Sequence, residues 1–463
     1  MFPAEADYDY IVVGGGTAGC PLAATLSVSH RVLLLERGGA PQEFPSLASQ
    51  DGFLQTLVDT DSSDSPAQTF VSQEGVPNAR GRVLGGSSTI NAGFYSRAHP
   101  GFFSASGISW DMALVNDSFD WVERSWQSAV RDGLLEANVT PYNGFSVHHL
   151  PGTKIGASTF DSSGRRHSAA DLLNFASADN IRVALRASVD RILLRRRRSQ
   201  SMLAIGVVYS DRYGRHHHAM TRPGGEVIIS AGTLGSPQLL LLSGIGPRPY
   251  LSSWGIPVAV HNPNVGQFLY DNPRNGISIV PPTPLDHSLI QVVGIPSDGL
   301  IEKVPGPSSF GYLRLASLNV RDTPLVRFNY FSNPDDLTRC VAGLRRAAQV
   351  IESRSMNEFR LPEWWAAGGG PREFRYVGAP LPANRSNYAA MADFCRQNVA
   401  TIWHYHGGCL VGKVVDAELR VMGVGSLRVV DGSIFSVSPG TNPQATLMMM
   451  GRSVSDLFIY SLI

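Results

Sequence analysis

Hydrophobic positions fall into two kinds of run along this chain. Residues 10–13 and the segment RVLLLERG (31–38) are almost continuously apolar, the pattern of strands covered on both faces in a parallel sheet. The first of them runs into a glycine turn and then a helix. From Ile181 the pattern changes to strands split by glycine and charged turns: IRVALRASVDRILL, MLAIGVVYSDRYG and HHHAMTRPGGEVIISAG. That spacing predicts an antiparallel ribbon feeding back to the core. Helices are expected over 125–137, over 335–351 and in PGTNPQATLMMMGR (439–452), where Met448, Met449 and Met450 read as core. GTLGSPQLLLLSGIGP (232–247) reads as a glycine turn, a Ser-Pro helix start, an apolar helix and a glycine stop. Residues 41–65 are polar, a loop or short helix. After Asn264 comes a Pro-rich stretch with strand-like pieces (NGISIVPP, SFGYLRLAS, PLVRFNYF), which reads as a substrate-facing cap.

The first turn carries the strongest chemical signal. Gly14, Gly16 and Gly19 form G-x-G-x-x-G: one for the tight turn, one for close backbone approach to a pyrophosphate, one for helix-on-strand packing. The N–H groups of the following helix would face the phosphates. Glu36 ends the second strand, 22 residues after Gly14, where an acid accepts the ribose hydroxyls of an adenine dinucleotide. Further on, Gly85-Gly86-Ser87-Ser88 is a donor-rich turn ahead of TINAGF. It can wrap a flat cofactor, and an ordinary surface turn has the same composition.

Length and charge narrow the class. A chain of 463 residues can bury a large core, and 39 basic against 38 acidic residues give no electrostatic case for a nucleic-acid partner. The run Arg195 to Arg198 reads as a solvated hairpin tip. His216, His217 and His218 read as strand surface rather than a metal site, since neighbours on a strand point to opposite faces. No metal is expected. The longest apolar stretch, 239–242, is far short of a membrane span, and the opening MFPAEADYDY lacks the features of a signal peptide. Four cysteines (Cys20, Cys340, Cys395, Cys409) are too few for a disulfide scaffold and lack zinc spacing. Sequons stand at Asn116, Asn138 and Asn384, a number that chance also supplies.

Taken together, GGGTAG with Glu36, RGRVLGGSSTINA, GTLGSPQLLLLSGIG, WHYHGG and GTNPQAT resemble the glucose–methanol–choline (GMC) family of FAD-dependent oxidoreductases over nearly the whole chain. Segments such as WDMALVNDSFDWVE and VGQFLYDNPRN resemble its plant hydroxynitrile lyase branch, the (R)-mandelonitrile lyase-like and HOTHEAD-like proteins. The resemblance implies an α/β fold (α+β): a Rossmann-like FAD-binding domain from 1–100, 180–272 and 400–463, and a substrate domain with an antiparallel sheet from 101–179 and 273–399. It implies FAD as cofactor. Gly14, Gly16, Thr17, Ala18 and Gly19 would lie at the pyrophosphate, Glu36 and Arg37 at the adenosine ribose, and Val189 at the adenine. Val83, Ser87, Asn91, Ala92, Gly93 and Phe94 would follow the ribityl and isoalloxazine. Trp403, Asp431, Gly432, Asn442 and Pro443 would close the site.

The resemblance also assigns the catalytic pair. His404, first histidine of H-Y-H-G-G, would take the hydroxyl proton of an alcohol whose hydride passes to flavin N5. Asn442 would hydrogen-bond the alkoxide. His406 reads as a structural hydrogen-bonder. Members of the lyase branch carry histidine at both catalytic positions and a tyrosine two residues before the first, whereas this chain has Asn442 and Ile402. A single base suits hydride transfer to FAD, with dioxygen as a possible acceptor of the electrons, better than cleavage of a cyanohydrin to aldehyde and cyanide. The chain is also shorter than its relatives between Ile295 and Gly306 and near WVERSWQS, so a flavin-binding remnant with a reduced cap is a further alternative. Cys340 and Cys395 fall where the lyase branch has a disulfide, and two buried free thiols are the alternative. A monomer of the secretory pathway is implied.

Overall fold

The computed structural model describes residues 8–50, 52–58, 64–122, 139–161, 164–197, 201–280, 292–295, 304–362 and 372–460. The helix expected over 125–137, Asn138 and most of the shortened stretch before Gly306 lie outside them.

The first apolar run becomes β1 (Tyr8–Val13), buried at every position because it has a strand on each side and a helix over it. The glycine turn leads into α1 (Gly19–Leu26), and the chain returns as β2 (Val32–Leu35), parallel to β1 with Tyr10 opposite Val32. β3 (Ile181–Ala184) lies parallel to β2 with Val32 opposite Ile181. This corrects the expectation that 181 opens the antiparallel ribbon. The N–H of Val32 donates to Asn180 O and that of Glu36 to Ala184 O, so the segment is taken by the parallel ladder before the chain turns at Arg186 (φ 54°).

The ribbon proper is β4 (Ser188–Arg196), β5 (Met202–Ser210) and the start of β6 (His216–Ile229). β6 belongs to two pairings: its first residues run antiparallel to β5, and its last four run parallel to β1 with Val13 opposite Ile229. His216 and His217 bind different carboxylates, Asp190 at 3.1 Å and Asp211 at 3.2 Å. Among the described residues no cluster of three or more His, Cys, Asp or Glu could hold a metal ion.

α2 (Gly232–Leu242) starts earlier than its Ser-Pro pair suggested, with Pro237 inside the helix. The reason lies across the chain. Asp431 Oδ2 accepts the N–H of Gly232 at 2.9 Å and the hydroxyl of Ser236, capping the first turn from outside. A second sheet joins β7 (Gln267–Tyr270), β8 (Gly311–Arg314) and β9 (Leu325–Arg327). α3 (Pro334–Glu352) and α4 (Tyr388–Gln397) pack on each other, tied by a Cys340–Cys395 disulfide with Cα atoms 6.4 Å apart. Their facing residues Leu337, Val341, Leu344, Met391 and Phe394 form a core of their own. β10 (His406–Gly407) pairs with β7, and β11 (Leu427–Val429) adds to β6 in parallel. Among the described residues no helix is long and apolar enough to cross a membrane.

The chain closes with α5 (Gln444–Tyr460), which packs on α1 with Met448, Met449 and Met450 buried, as expected. The close approach depends on Gly451. A Cβ there would lie 2.2 Å from Ala18 O and 2.9 Å from Pro21 Cγ. Gly451→Val is therefore expected to push the two helices apart and to lower unfolding stability by about 2 kcal/mol, measured by denaturant titration. An unchanged midpoint would show that the contact is not limiting.

Candidate active site

A cavity of about 870 Å³ lies where the parallel sheet, α2 and the C-terminal stretch meet. It is lined by Gly14, Gly16, Thr17, Ala18, Glu36, Arg37, Ser87, Asn91 to Phe94, Val189, Trp403, His404, Asp431, Gly432, Asn442 and Pro443. These come from distant segments, and all were singled out in the sequence. Two expected residues are absent from the wall. Val83 is fully buried in a small core with Leu47, Ala67 and Ile90. Gly19 packs behind the turn, where a Cβ would sit 2.0 Å from Gly14 O.

Glu36 has a second task beside any ribose contact. Its Oε2 accepts the N–H of Gly15 at 2.9 Å and its Oε1 that of Gly38 at 2.7 Å, so the carboxyl clamps the glycine turn to the end of β2. Burial raises its pKa while those two N–H groups pull it down. Arg37 and Arg80 both donate to Gln68 Oε1, at 2.7 and 3.1 Å, and burial lowers them to about 10 and about 9. Asn91 Oδ1 accepts from Gly93 N–H at 2.9 Å and from Arg166 at 3.1 Å. Sequence reasoning missed Arg80, Arg274, Arg321, Thr233 and Gln238 as cavity residues. Arginine near a strand end has no local signature. The start of the GTLGSPQ helix, a row of free N–H groups, was the signal available for Thr233.

The stretch carrying His404 is irregular. Ala400 and Thr401 pair with Arg274 and Pro273; His406 and Gly407 pair with Tyr270 and Leu269. Between these pairings Asp271 and Asn272 stand opposite the longer segment 402–405, so the chain is forced out of the ladder as a wide bulge. Trp403 takes a left-handed backbone (φ 58°), which costs a non-glycine residue about 1–3 kcal/mol. Side chains replace the missing ladder bonds. Trp403 N–H donates to Thr401 Oγ1 at 2.7 Å. The His404 carbonyl accepts from His406 Nδ1 at 3.1 Å, and the Tyr405 carbonyl accepts the Thr233 hydroxyl at 3.1 Å.

In a regular strand residues two apart share a face. Here the bulge separates them: His404 lines the cavity, while His406 stacks on Tyr270 with centroids 5.2 Å apart. Burial pushes His406 down to about 4, so it stays neutral and can donate from Nδ1.

The walls fit an extended dinucleotide. Gly86 and Gly16 approach so closely that a Cβ on Gly86 would lie 2.8 Å from Gly16 Cα, leaving backbone N–H groups and the Ser87 hydroxyl as the cradle. Residues 129–274 and 307–451 match the two GMC oxidoreductase models. The chain belongs to the GMC oxidoreductase family. Relatives include the "(R)-mandelonitrile lyase-like" protein of Arabidopsis thaliana, 59% identical over 97% of this chain and 89% of that protein. "(R)-mandelonitrile lyase 2" of Prunus dulcis is 45% identical over 97% of this chain and 86% of its own length. "Sinalpyl alcohol oxidase Nec3" of Nesocodon mauritianus is 44% identical over 97% and 88%. Pyridoxine 4-oxidase from Mesorbium loti shares the fold with a TM-score of 0.82 at 21% identity, covering 98% of this chain and 99% of that one. FAD is the cofactor.

The depressed His406 has a stability consequence with a definite sign. Its neutral form is favoured by folding, so the contribution is complete above about pH 6.5 and is lost as pH falls through about 4. Up to about 3 kcal/mol is at stake over that window. His406→Asn keeps a donor but has no ring to titrate, and its unfolding free energy should fall less between pH 6.5 and 4 than that of the parent. Parallel curves would show that His406 does not titrate between the two states.

Proposed function

We propose that this protein oxidises the CH–OH group of a hydrophobic or aromatic alcohol, with His404 as the base. The observation that carries this reading is that His404 is the only imidazole among the described cavity residues, while the second catalytic position is held by Asn442. Histidine can accept a hydroxyl proton near neutral pH. Asn442 cannot take a proton, but its amide can donate to the alkoxide oxygen as charge develops there. Of the carboxylates among the described cavity residues, Glu36 and Asp431 are engaged by backbone N–H groups and Asp64 by Arg186, which argues against any of them as the base. FAD, when bound, supplies the acceptor for the substrate hydride. Gly14, Gly16, Thr17 and Ala18 with Ser87 would hold its diphosphate, Glu36 the ribose, and Asn91 to Phe94 with Trp403 and Pro443 the ring. The printed name of the Nesocodon relative, an alcohol oxidase, supports the same reaction class.

A cyanohydrin lyase is the second reading, favoured by the names of the Arabidopsis and Prunus relatives. Lysis needs proton handling at both the hydroxyl and the departing cyanide, and one histidine with an asparagine is poorly equipped for it.

One experiment separates the two. FAD-loaded protein is mixed anaerobically with aryl alcohols and, separately, with mandelonitrile, while flavin absorbance and benzaldehyde are followed. Bleaching by an alcohol is expected, and His404→Ala should slow it by about 10²–10⁴-fold. Benzaldehyde from mandelonitrile without bleaching by any alcohol would establish the lyase instead. Asn442→His is expected to raise the lyase rate relative to oxidation.

A further inference from the structure

We propose that Arg37 and Arg80 form a binding site for a phosphate group in the wall of the cavity. The diphosphate of FAD and a free phosphate are the two sources of that chemistry. The first deepens the cofactor placement proposed above and rests on it; the second does not. Both arginines line the cavity, and Arg80 is only 8% exposed. One neutral group holds them side by side. Gln68 Oε1 accepts from Nη1 of Arg37 at 2.7 Å and from Nε of Arg80 at 3.1 Å. Gln68 Nε2 donates to Arg321 O at 3.2 Å, which fixes the amide with its oxygen toward the two guanidinium groups. Nη2 of Arg37 donates to the Gly81 carbonyl at 3.2 Å.

What this cluster lacks is a negative charge. Among the described residues no carboxylate forms an ion pair with Arg37 or Arg80, and neither Nη of Arg80 has a hydrogen-bond partner. The acids of the same cavity are engaged elsewhere. Glu36 takes the N–H groups of Gly15 and Gly38, Asp64 pairs with Arg186, and Asp431 caps α2 through Gly232 and Ser236. A buried cation is costly unless it is paired, and here two stand together. Burial, and next to it the charge of Arg37, pull Arg80 down to about 9. An anion with several oxygens answers both guanidinium forks at once, which is the chemistry of a phosphate. The surroundings agree. Arg80 precedes Gly81, whose N–H donates to Ser87 Oγ at 3.1 Å, and a Cβ on Gly81 would lie 2.4 Å from Gly86 C. Arg37 follows Glu36, the clamp on Gly15. The pair therefore flanks both glycine turns. Those turns offer N–H donors without net charge, and the arginines supply the charge.

The test uses the FAD-loaded full chain in phosphate-free buffer. FAD released on dilution is read by flavin fluorescence, and Tm is recorded with and without inorganic phosphate. Arg80→Gln removes the charge and Arg80→Lys keeps it. With the FAD diphosphate as ligand, Arg80→Gln weakens FAD binding about 10–100-fold, the scale of a lost charge-assisted contact, and Arg80→Lys weakens it less. With a free phosphate as ligand, FAD affinity is unchanged, and phosphate raises the Tm of the parent but not that of Arg80→Gln. Neither pattern, or an Arg80→Lys variant that loses as much FAD affinity as Arg80→Gln, overturns the proposal. Ser87→Ala tests the cradle separately: unchanged FAD binding there, beside weakened binding in Arg80→Gln, removes Ser87 from the cradle and leaves the arginine site standing. If Arg80→Gln does not fold, Arg37→Gln is expected to give the same pattern, with Arg37→Lys as its charge-keeping control.

Discussion

Between Thr401 and His406 the chain holds two residues more than its partner strand can pair, and the cavity wall that carries His404 depends on how that excess is absorbed. A strand in register would leave no room for an imidazole to be aimed independently of its neighbours. Three of the backbone groups so freed are taken by side chains: the Trp403 N–H by Thr401, the His404 carbonyl by His406 and the Tyr405 carbonyl by the distant Thr233. Side-chain bonds thus replace ladder bonds around His404. The left-handed Trp403 persists because its surroundings over-determine it.

The opposite wall is built by the reverse strategy. There the parallel sheet β3–β2–β1–β6–β11 keeps one register from Tyr10 to Val13, and the glycine turn leaving β1 is fixed by its own neighbours, with Glu36 clamping Gly15 and Gly38. β6 connects this sheet to the ribbon, and Asp431, two residues beyond β11, caps α2 while lining the cavity. Regular structure holds the glycine-turn wall, and a supported irregularity holds His404, the proposed base.

Much of the first wall was legible in the sequence because its signals are local. G-x-G-x-x-G, an acid at the end of the next strand and a glycine-serine turn each announce themselves within a few residues. The α3 helix was also readable, to within a residue at each end, from its apolar spacing. Other features depend on partners far along the chain. The parallel pairing of 181–184 follows from β2 capturing its ends, the early start of α2 from Asp431, and the convergence of Arg37 and Arg80 from Gln68. The bulge was least visible. WHYHGG carries no sign that two residues will face four, and only the separate fates of His404 and His406 reveal it.

The two residues expected to do the chemistry sit in very different settings. His404 is enmeshed, with its main chain held on both sides by other residues. Asn442 is half-buried on the loop just ahead of α5. An evolutionary change at 404 has to preserve a network drawn from several segments, whereas a change at 442 replaces a side chain on a short connection. Position 442 can therefore be exchanged without rebuilding the scaffold that aims His404, so that, on the proposed roles, the second position is the one free to change.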